Sequence, residues 1–144
     1  MKARATLLIV SLLLAPAVLA GNASKRAFTC SESHLIGKWV FATEIGNFTG
    51  FGPITALGTL KVERGGALNG KFDATVGDAV FLPDNTYTGS IDVGRDCRGT
   101  LTFTDSTGAS RTDSIVVVNY DEFWGMSQNP GVLWTYRAKR IGSM

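Results

Sequence analysis

The residues that could carry out acid–base or metal chemistry are few in this chain and lie far apart. The single histidine, His34, is flanked by Ser31 and Ser33, but no third group is placed to complete a catalytic triad. One histidine and two cysteines supply too few nitrogen and sulfur ligands for a zinc-type site. The sequence therefore predicts no catalytic residue, no metal site and no cofactor.

The first twenty residues have the pattern of a secretory signal peptide. Lys2 and Arg4 give a positive start, an apolar run covers 7–14, and residues 18–20 suit a cleavage site. The apolar run is shorter than the roughly 20 residues needed to cross a bilayer. We therefore expect residues 1–20 to be removed and the protein to be secreted or periplasmic, with no integral membrane segment left.

The two cysteines, Cys30 and Cys97, are expected to form a disulfide, because an exported protein with an even cysteine count is usually bridged. A pair of free buried thiols is the alternative. The bridge would tie an N-terminal segment, 21–34, to a barrel domain that covers 35–144.

The charge balance gives no sign of a nucleic-acid partner. The chain has 14 basic and 12 acidic residues, and loss of Lys2 and Arg4 with the signal peptide leaves 12 of each. The basic residues are scattered apart from Arg137, Lys139 and Arg140. No basic stripe of the kind that binds a phosphate backbone is therefore present in the sequence.

Eight short stretches of alternating apolar and polar residues follow one another, separated by glycine-rich turns. The predicted strands are 35–44, 55–63, 68–76, 86–93, 100–104, 111–120, 123–127 and 132–141. Short connections favour antiparallel pairing of neighbouring strands. The predicted fold is all-β, an eight-stranded antiparallel up-and-down β-barrel closed by the first and last strands; a two-sheet sandwich is the alternative.

This topology divides the connections between two rims. The two longest predicted loops, Gly46–Pro53 and Gly77–Asp84, share one rim, and the chain entry and the turn with Cys97 share the other. The two cysteines therefore meet at one end, as a disulfide requires. In the sixth strand, Ile115–Val118 is continuously apolar and is predicted to be buried on both faces, beneath the N-terminal segment.

Aromatic side chains dominate the predicted inner face and the rim with the long loops. The residues expected to border the mouth or line the interior, and so to bind a ligand, are Phe48, Phe51, Phe72, Phe81, Leu82, Tyr87, Trp134 and Tyr136. Tyr87, Tyr136 and Asn119 could supply directional contacts in an apolar cavity, or could satisfy their polar ends on the backbone or rim.

Three short patches resemble motifs of the lipocalins and the wider calycin group, which includes the avidins. Gly37–Trp39 resembles the glycine–any–tryptophan signature of their first strand, and 119–123 resembles their second motif. Arg137 or Arg140 on the last strand resembles the third-motif arginine that stacks on the tryptophan. The resemblance implies a small ligand-binding barrel. The structural residues that it implies are Gly37, Trp39, Tyr120, Arg137 and Arg140.

Three functions are compatible with the sequence. The first is binding of a small apolar or amphipathic molecule inside the barrel. The second is a barrel isomerase or cyclase, of the allene-oxide-cyclase type, which would need an inward tyrosine or aspartate with a displaced pKa as its acid. The third is a filled barrel that acts as an interaction or inhibitor protein through exposed Phe48, Phe51 and Phe81 on its loops.

Overall fold

A computed structural model describes residues 29–77 and 80–143 of the chain, with only the backbone of Val80 and Phe81. The predicted signal peptide, 1–20, lies outside the described residues, as do most of the predicted N-terminal segment and the side chain of Phe81. No helix in the described part has the length and apolar character needed to span a bilayer.

The described residues form eight antiparallel strands that close into one barrel in chain order. The strands are β1 (Gly37–Phe48), β2 (Gly52–Val62), β3 (Ala67–Val76), β4 (Val80–Val93), β5 (Arg98–Asp105), β6 (Ser110–Asn119), β7 (Glu122–Ser127) and β8 (Val132–Gly142). A single 3₁₀ turn, Glu32–His34, precedes them. The predicted up-and-down barrel is confirmed.

Closure depends on the pairing of β1 with β8 along nearly their whole lengths. Trp39 lies opposite Arg140 at one end of the pair, and Phe48 lies opposite Val132 at the other. Each strand is therefore paired on both sides, and the described sheet has no free edge for another strand to join.

The prediction of two long loops at one rim is wrong, because strand pairing continues through most of the residues assigned to them. β1 extends to Phe48 and β2 begins at Gly52, while β4 already begins at Val80. A bulge separates the two paired segments in each case, between Ala42 and Asn47 on β1 and between Phe72 and Ala74 on β3. A bulge breaks the residue alternation, so the stretch beyond it has the sequence pattern of a loop.

The predicted burial of β6 on both faces is also wrong. Ile115 and Val117 are buried in the core, whereas Val116 and Val118 are 46% and 51% exposed on the outer face. Strand propensity accounts for this run, because β-branched residues suit an extended backbone whichever way they point.

One end of the barrel is closed by the chain that enters it, and we call this end the closed rim. The predicted disulfide joins Cys30 to Cys97 there, and the indole Nε1 of buried Trp39 donates to the carbonyl of Leu35 at 2.8 Å. The Arg140 guanidinium lies 4.4 Å from the centre of the Trp39 ring. Closed-rim packing therefore places Arg140, one of the two arginines expected from the resemblance, on the tryptophan.

Arg140 also binds backbone carbonyls of the entering chain. Its Nη1 donates to Ile36 at 2.6 Å, its Nη2 donates to His34, and its Nε donates to Tyr120 at 2.9 Å. Gly37 makes room for this side chain, because a Cβ there would lie 2.5 Å from Nη1 of Arg140. The closed rim is thus sealed by one arginine of β8 that binds both the entering chain and the β6–β7 turn.

Candidate ligand-binding site

The barrel interior is filled mostly by aromatic rings. The residues that surround its central cavity are Phe41, Leu60, Phe72, Tyr87, Leu101, Phe103, Asp113, Phe123, Trp134 and Tyr136. The cavity has a volume of only about 20 Å³, which is room for one water molecule or one group with a single heavy atom. Drug-sized ligands occupy cavities of roughly 300–1,000 Å³, so none fits in this conformation.

Asp113 is the unusual member of this interior. It lies on β6 with a relative exposure of 0%, and neither carboxylate oxygen has a hydrogen-bond partner among the described residues. Burial raises the pKa of the Asp113 carboxyl to about 6, although the Tyr136 hydroxyl and the Arg111 guanidinium both favour the charged form. An acidic group of this kind is costly to bury and needs a partner.

Tyr136, on β8, is the nearest polar neighbour of Asp113. Its hydroxyl is close enough to influence the carboxylate, but it completes no hydrogen bond of ordinary geometry within the described part of the chain. Burial, and then the charge of Asp113, raise the pKa of Tyr136 well above its usual range. Tyr136 therefore remains a neutral hydroxyl, able to donate one hydrogen bond into the cavity.

Tyr87, on β4, is satisfied in a different way. Its hydroxyl donates to the backbone carbonyl of Thr59 at 3.0 Å, and burial raises its pKa far above the usual value for tyrosine. Its ring forms part of the aromatic wall, while its polar end is engaged with the sheet.

Of the polar candidates named from the sequence, Asn119 is exposed and accepts a hydrogen bond from the Asp121 N–H at 2.8 Å.

A glycine on β7 makes room for the Tyr136 ring. A Cβ on Gly125 would lie 2.1 Å from the Tyr136 ring, which is too close for any side chain. Gly125 is directly opposite Tyr136 in the sheet. The ring can therefore lie flat across β7 and point its hydroxyl towards Asp113.

The end of the barrel opposite the closed rim, which we call the open rim, carries two further inward charged groups. Arg111 lies two residues before Asp113, and its guanidinium is 4.7 Å from the Phe48 ring centre and 6.0 Å from that of Trp134. Asp105 is buried nearby but is satisfied by its own turn, accepting from the Thr107 N–H at 2.9 Å. Burial lowers the pKa of Arg111, while both aspartates oppose that shift.

A second cavity of about 30 Å³ lies just inside the open rim. The rings of Phe72, Phe103 and Trp134 line both this cavity and the central one, and so separate them. Trp134 is fixed by a 2.9 Å hydrogen bond from its Nε1 to the Thr43 hydroxyl. Phe72 is only partly buried, so it is the member of this partition that can move with least disturbance.

The structure places most of the candidate ligand-binding residues around these cavities. Phe72, Tyr87, Trp134 and Tyr136 line the central cavity, and Leu82 lines the outer one. Phe48 is partly buried beneath Arg111. Phe51, in contrast, is 72% exposed on the turn between β1 and β2.

Asp113 and Arg111 are absent from the sequence-based candidates, although a signal for them exists. Both share the odd-numbered parity of the buried residues Ile115 and Val117, so strand alternation alone places them on the inner face. The continuous apolar run at Ile115–Val118 obscured that alternation. A charged residue at an inward-facing position of a predicted strand is therefore the sequence signal that indicates this site.

His34 lies away from these cavities, at the closed rim. Its Nδ1 accepts from the Ser31 N–H at 3.1 Å, and its ring packs edge-on against Tyr120 with centroids 5.0 Å apart. Within the described ranges, no three histidine, cysteine or carboxylate side chains come together as metal ligands would.

No family model matches this chain, and no curated protein sequence matches it. Solved structures do share its fold, among them three designed barrels. A redesigned β-barrel superposes with a TM-score of 0.55 at 15% identity, over 77% of this chain and 95% of its own. A de novo designed fluorescence-activating β-barrel gives 0.55 at 16% identity, over 76% and 96%. A redesigned β-barrel bound to DFHBI gives 0.52 at 16% identity, over 74% and 99%.

At these identities the likeness shows the fold alone, a closed antiparallel β-barrel. The three motifs predict a barrel of the lipocalin or calycin type. Because no family model matches the chain, this type stays a prediction.

Proposed function

We propose that this protein is an exported β-barrel that binds a small molecule in its interior, with Asp113 as the polar anchor. The proposal rests on one observation: Asp113 is fully buried, has no hydrogen-bond partner among the described residues and borders the central cavity. Buried polar groups in native proteins are nearly always satisfied. A ligand group at the cavity would supply the missing partner.

The ligand would enter at the open rim, past Phe48 and Arg111. The two cavities are small and separate, so binding requires the partly buried Phe72 ring to move aside and join them. The bound molecule would then be narrow, with an apolar body between aromatic rings and one polar group beside Asp113. Small sites of this kind combine mostly apolar walls with a few placed polar groups.

The similar designed barrels support an interior site without identifying its ligand. One of them is bound to DFHBI and another is described as fluorescence-activating. The signal-peptide pattern supports export, and the Cys30–Cys97 disulfide is of a kind usual in oxidising compartments.

Native mass spectrometry of the protein purified from its own host tests the proposal. We expect a co-purifying small molecule on the wild-type chain, and its loss in Asp113→Asn, which keeps the shape of the side chain and removes its charge. Asp92→Asn is the matched control, because Asp92 is exposed on the outer face of β4. Retention of the molecule by Asp113→Asn, or no bound molecule on the wild type, would contradict the proposal.

A second candidate, a barrel isomerase or cyclase, is favoured by the pKa of about 6 at Asp113. A carboxyl group with a pKa close to the working pH can act as a general acid or base in a dry, aromatic site. In that case the co-purified molecule would change mass or chromatographic behaviour when incubated with wild-type protein and would stay unchanged with Asp113→Asn. A molecule recovered unaltered from both would leave binding as the function.

A further inference from the structure

Three charged side chains line the two cavities within the described residues: Asp105, Arg111 and Asp113. Asp105 is satisfied by the N–H groups and hydroxyl of its own turn, at Thr107 and Ala109. The Arg111 guanidinium is covered by aromatic rings. With Asp113 ionised, these groups sum to one negative charge, and that uncompensated charge lies deepest in the barrel.

The groups that face Asp113 do not neutralise it. On its own strand Arg111 is the only cation, and its attraction affects the pKa of Asp113 less than burial does. From β8 the Tyr136 hydroxyl faces the carboxylate, from β5 Leu101 pairs with it, and β4 presents Tyr87, whose hydroxyl is already bound to the backbone. The rest of the lining is Leu60 and five aromatic rings, whose faces attract cations.

We infer that the ligand of this site is a small monocationic amine with a narrow apolar body, whose ammonium group lies against the Asp113 carboxylate. The inference rests on the proposed function and narrows it to one chemical class. One positive charge balances the groups that line the two cavities, and an ammonium group donates the hydrogen bonds that the carboxylate oxygens lack. The central cavity of about 20 Å³ accepts a nitrogen of that size but not a bulky quaternary ammonium group.

An anionic ligand is disfavoured by the same arrangement. Arg111 could attract an anion to the open rim, but the aromatic rings that cover its guanidinium and the two nearby aspartates oppose this. A neutral ligand would leave the carboxylate charge uncompensated. The amine is therefore the class that satisfies both the charge and the hydrogen-bonding deficit at Asp113.

Three probes that share one carbon skeleton test the inference: 2-phenylethylamine, 2-phenylethanol and phenylacetate. We expect isothermal titration of the wild-type chain at about pH 7.5 to show the amine binding about 10-fold or more tightly than the alcohol, because a hydrogen bond to a charged group is worth ~1.5–3 kcal/mol. Phenylacetate should bind more weakly than both. Asp113→Asn should bring the amine to the affinity of the alcohol, and Asp92→Asn should change neither.

A second measurement does not depend on the variant folding. Lowering the pH to about 5 protonates most of Asp113, so the affinity of the wild-type protein for the amine should fall about 10-fold, while the affinity for the alcohol stays within about 2-fold. Four other ionisable groups face this region: Asp105, Arg111, Tyr87 and Tyr136. Titration of any of these groups would change the affinities for the amine and the alcohol together.

The outcomes separate the inference from the function on which it rests. If none of the three probes binds the wild-type barrel, the interior site itself is wrong. If the alcohol or phenylacetate binds as tightly as the amine, or if Asp113→Asn leaves the preference for the amine intact, the amine class is wrong and the binding site stands. A pH-independent affinity for the amine also overturns the inference.

Discussion

Ionised Asp113 should lower the stability of the free protein, because its buried carboxylate has no hydrogen-bond partner among the described residues. Its pKa in the folded barrel, about 6, lies above the ordinary value of the unfolded chain. The folded state therefore holds the proton more tightly, and the free energy of unfolding falls as the pH rises through the range between the two values. Complete ionisation costs roughly 3 kcal/mol, since one pKa unit corresponds to about 1.4 kcal/mol.

Asp113→Asn should remove this dependence. We expect urea unfolding to show the wild-type chain losing roughly 2.4 kcal/mol more than the variant between about pH 4 and pH 7, which leaves the variant more stable near neutral pH. Asp92→Asn, altered on the outer face, should follow the wild-type profile. If the free energies of unfolding of the wild type and of Asp113→Asn changed with pH in parallel, the Asp113 carboxyl could not be both buried and unpaired.

Two arginines of β8 lie over tryptophan rings, and they differ in their contacts with the backbone. Arg140 lies 4.4 Å from the Trp39 ring centre and donates to three backbone carbonyls, whereas Arg137 lies 4.7 Å from that of Trp124 on the outer face. Lysine has one ammonium group and cannot reproduce a planar fork of donors.

Arg140→Lys should therefore destabilise the barrel by about 1.5–3 kcal/mol, because two partly buried carbonyls and one exposed carbonyl lose a charged donor. Arg137→Lys, whose ion pairs with Glu44 and Glu122 are partly exposed, should cost less than about 1 kcal/mol. Chemical unfolding of the two variants gives the comparison. Equal losses would mean that the closed rim does not depend on Arg140.

At the scale of the strand, the absence of a side chain at Gly125 of β7 makes room for the Tyr136 ring inside the barrel. Gly125→Ala should displace the Tyr136 ring, because the new Cβ would lie 2.1 Å from it. We expect a loss of about 2–3 kcal/mol and a changed near-ultraviolet circular dichroism spectrum, since overpacking a filled core forces side chains from their rotamers.

Gly142→Ala is the matched control for this change. Gly142 is also a strand glycine, but no other atom of the described residues contacts a Cβ built there within 4 Å. Its substitution should alter the free energy of unfolding by no more than about 0.5 kcal/mol. If Gly125→Ala is equally mild, the ring has room that the structure does not show.

The strands themselves are readable from the sequence because alternation is a local property. The existence and order of all eight strands, their antiparallel closure and the Cys30–Cys97 bridge follow from local pattern and topology. The bulges near Thr43 and Phe72 do not, because a bulge depends on which partner strand satisfies the backbone. At the first of them, the Thr43 hydroxyl accepts the Ala56 N–H at 2.8 Å in place of a ladder bond.

The site is harder to predict than the strands for a related reason. The aromatic lining at Phe72, Tyr87, Trp134 and Tyr136 follows from alternation, but whether those rings leave a cavity depends on how they pack together. Asp113 could be placed on the inner face by its parity with Ile115. That it lacks a hydrogen-bond partner among the described residues is a property of the whole assembled interior.

At the scale of the whole molecule, the barrel has one sealed end and one end through which we propose that a ligand enters. The disulfide, Trp39 and Arg140 close the first. Arg111 and Phe48 lie over the second, above two small cavities separated by a partition of aromatic rings. Because the closed sheet is rigid, a ligand can gain space only by moving side chains such as Phe72.

The most direct measurement is the pKa of the Asp113 carboxyl group, followed by its carbon NMR resonance as the pH is varied, with and without saturating 2-phenylethylamine. We predict a value of about 6 in the free barrel and a fall of at least about one unit when the amine is bound, because a neighbouring cation favours the carboxylate. A value near the ordinary ~3.9 in the free protein, unmoved by the amine, would contradict the burial of an unpaired carboxyl and its role as the ligand's anchor.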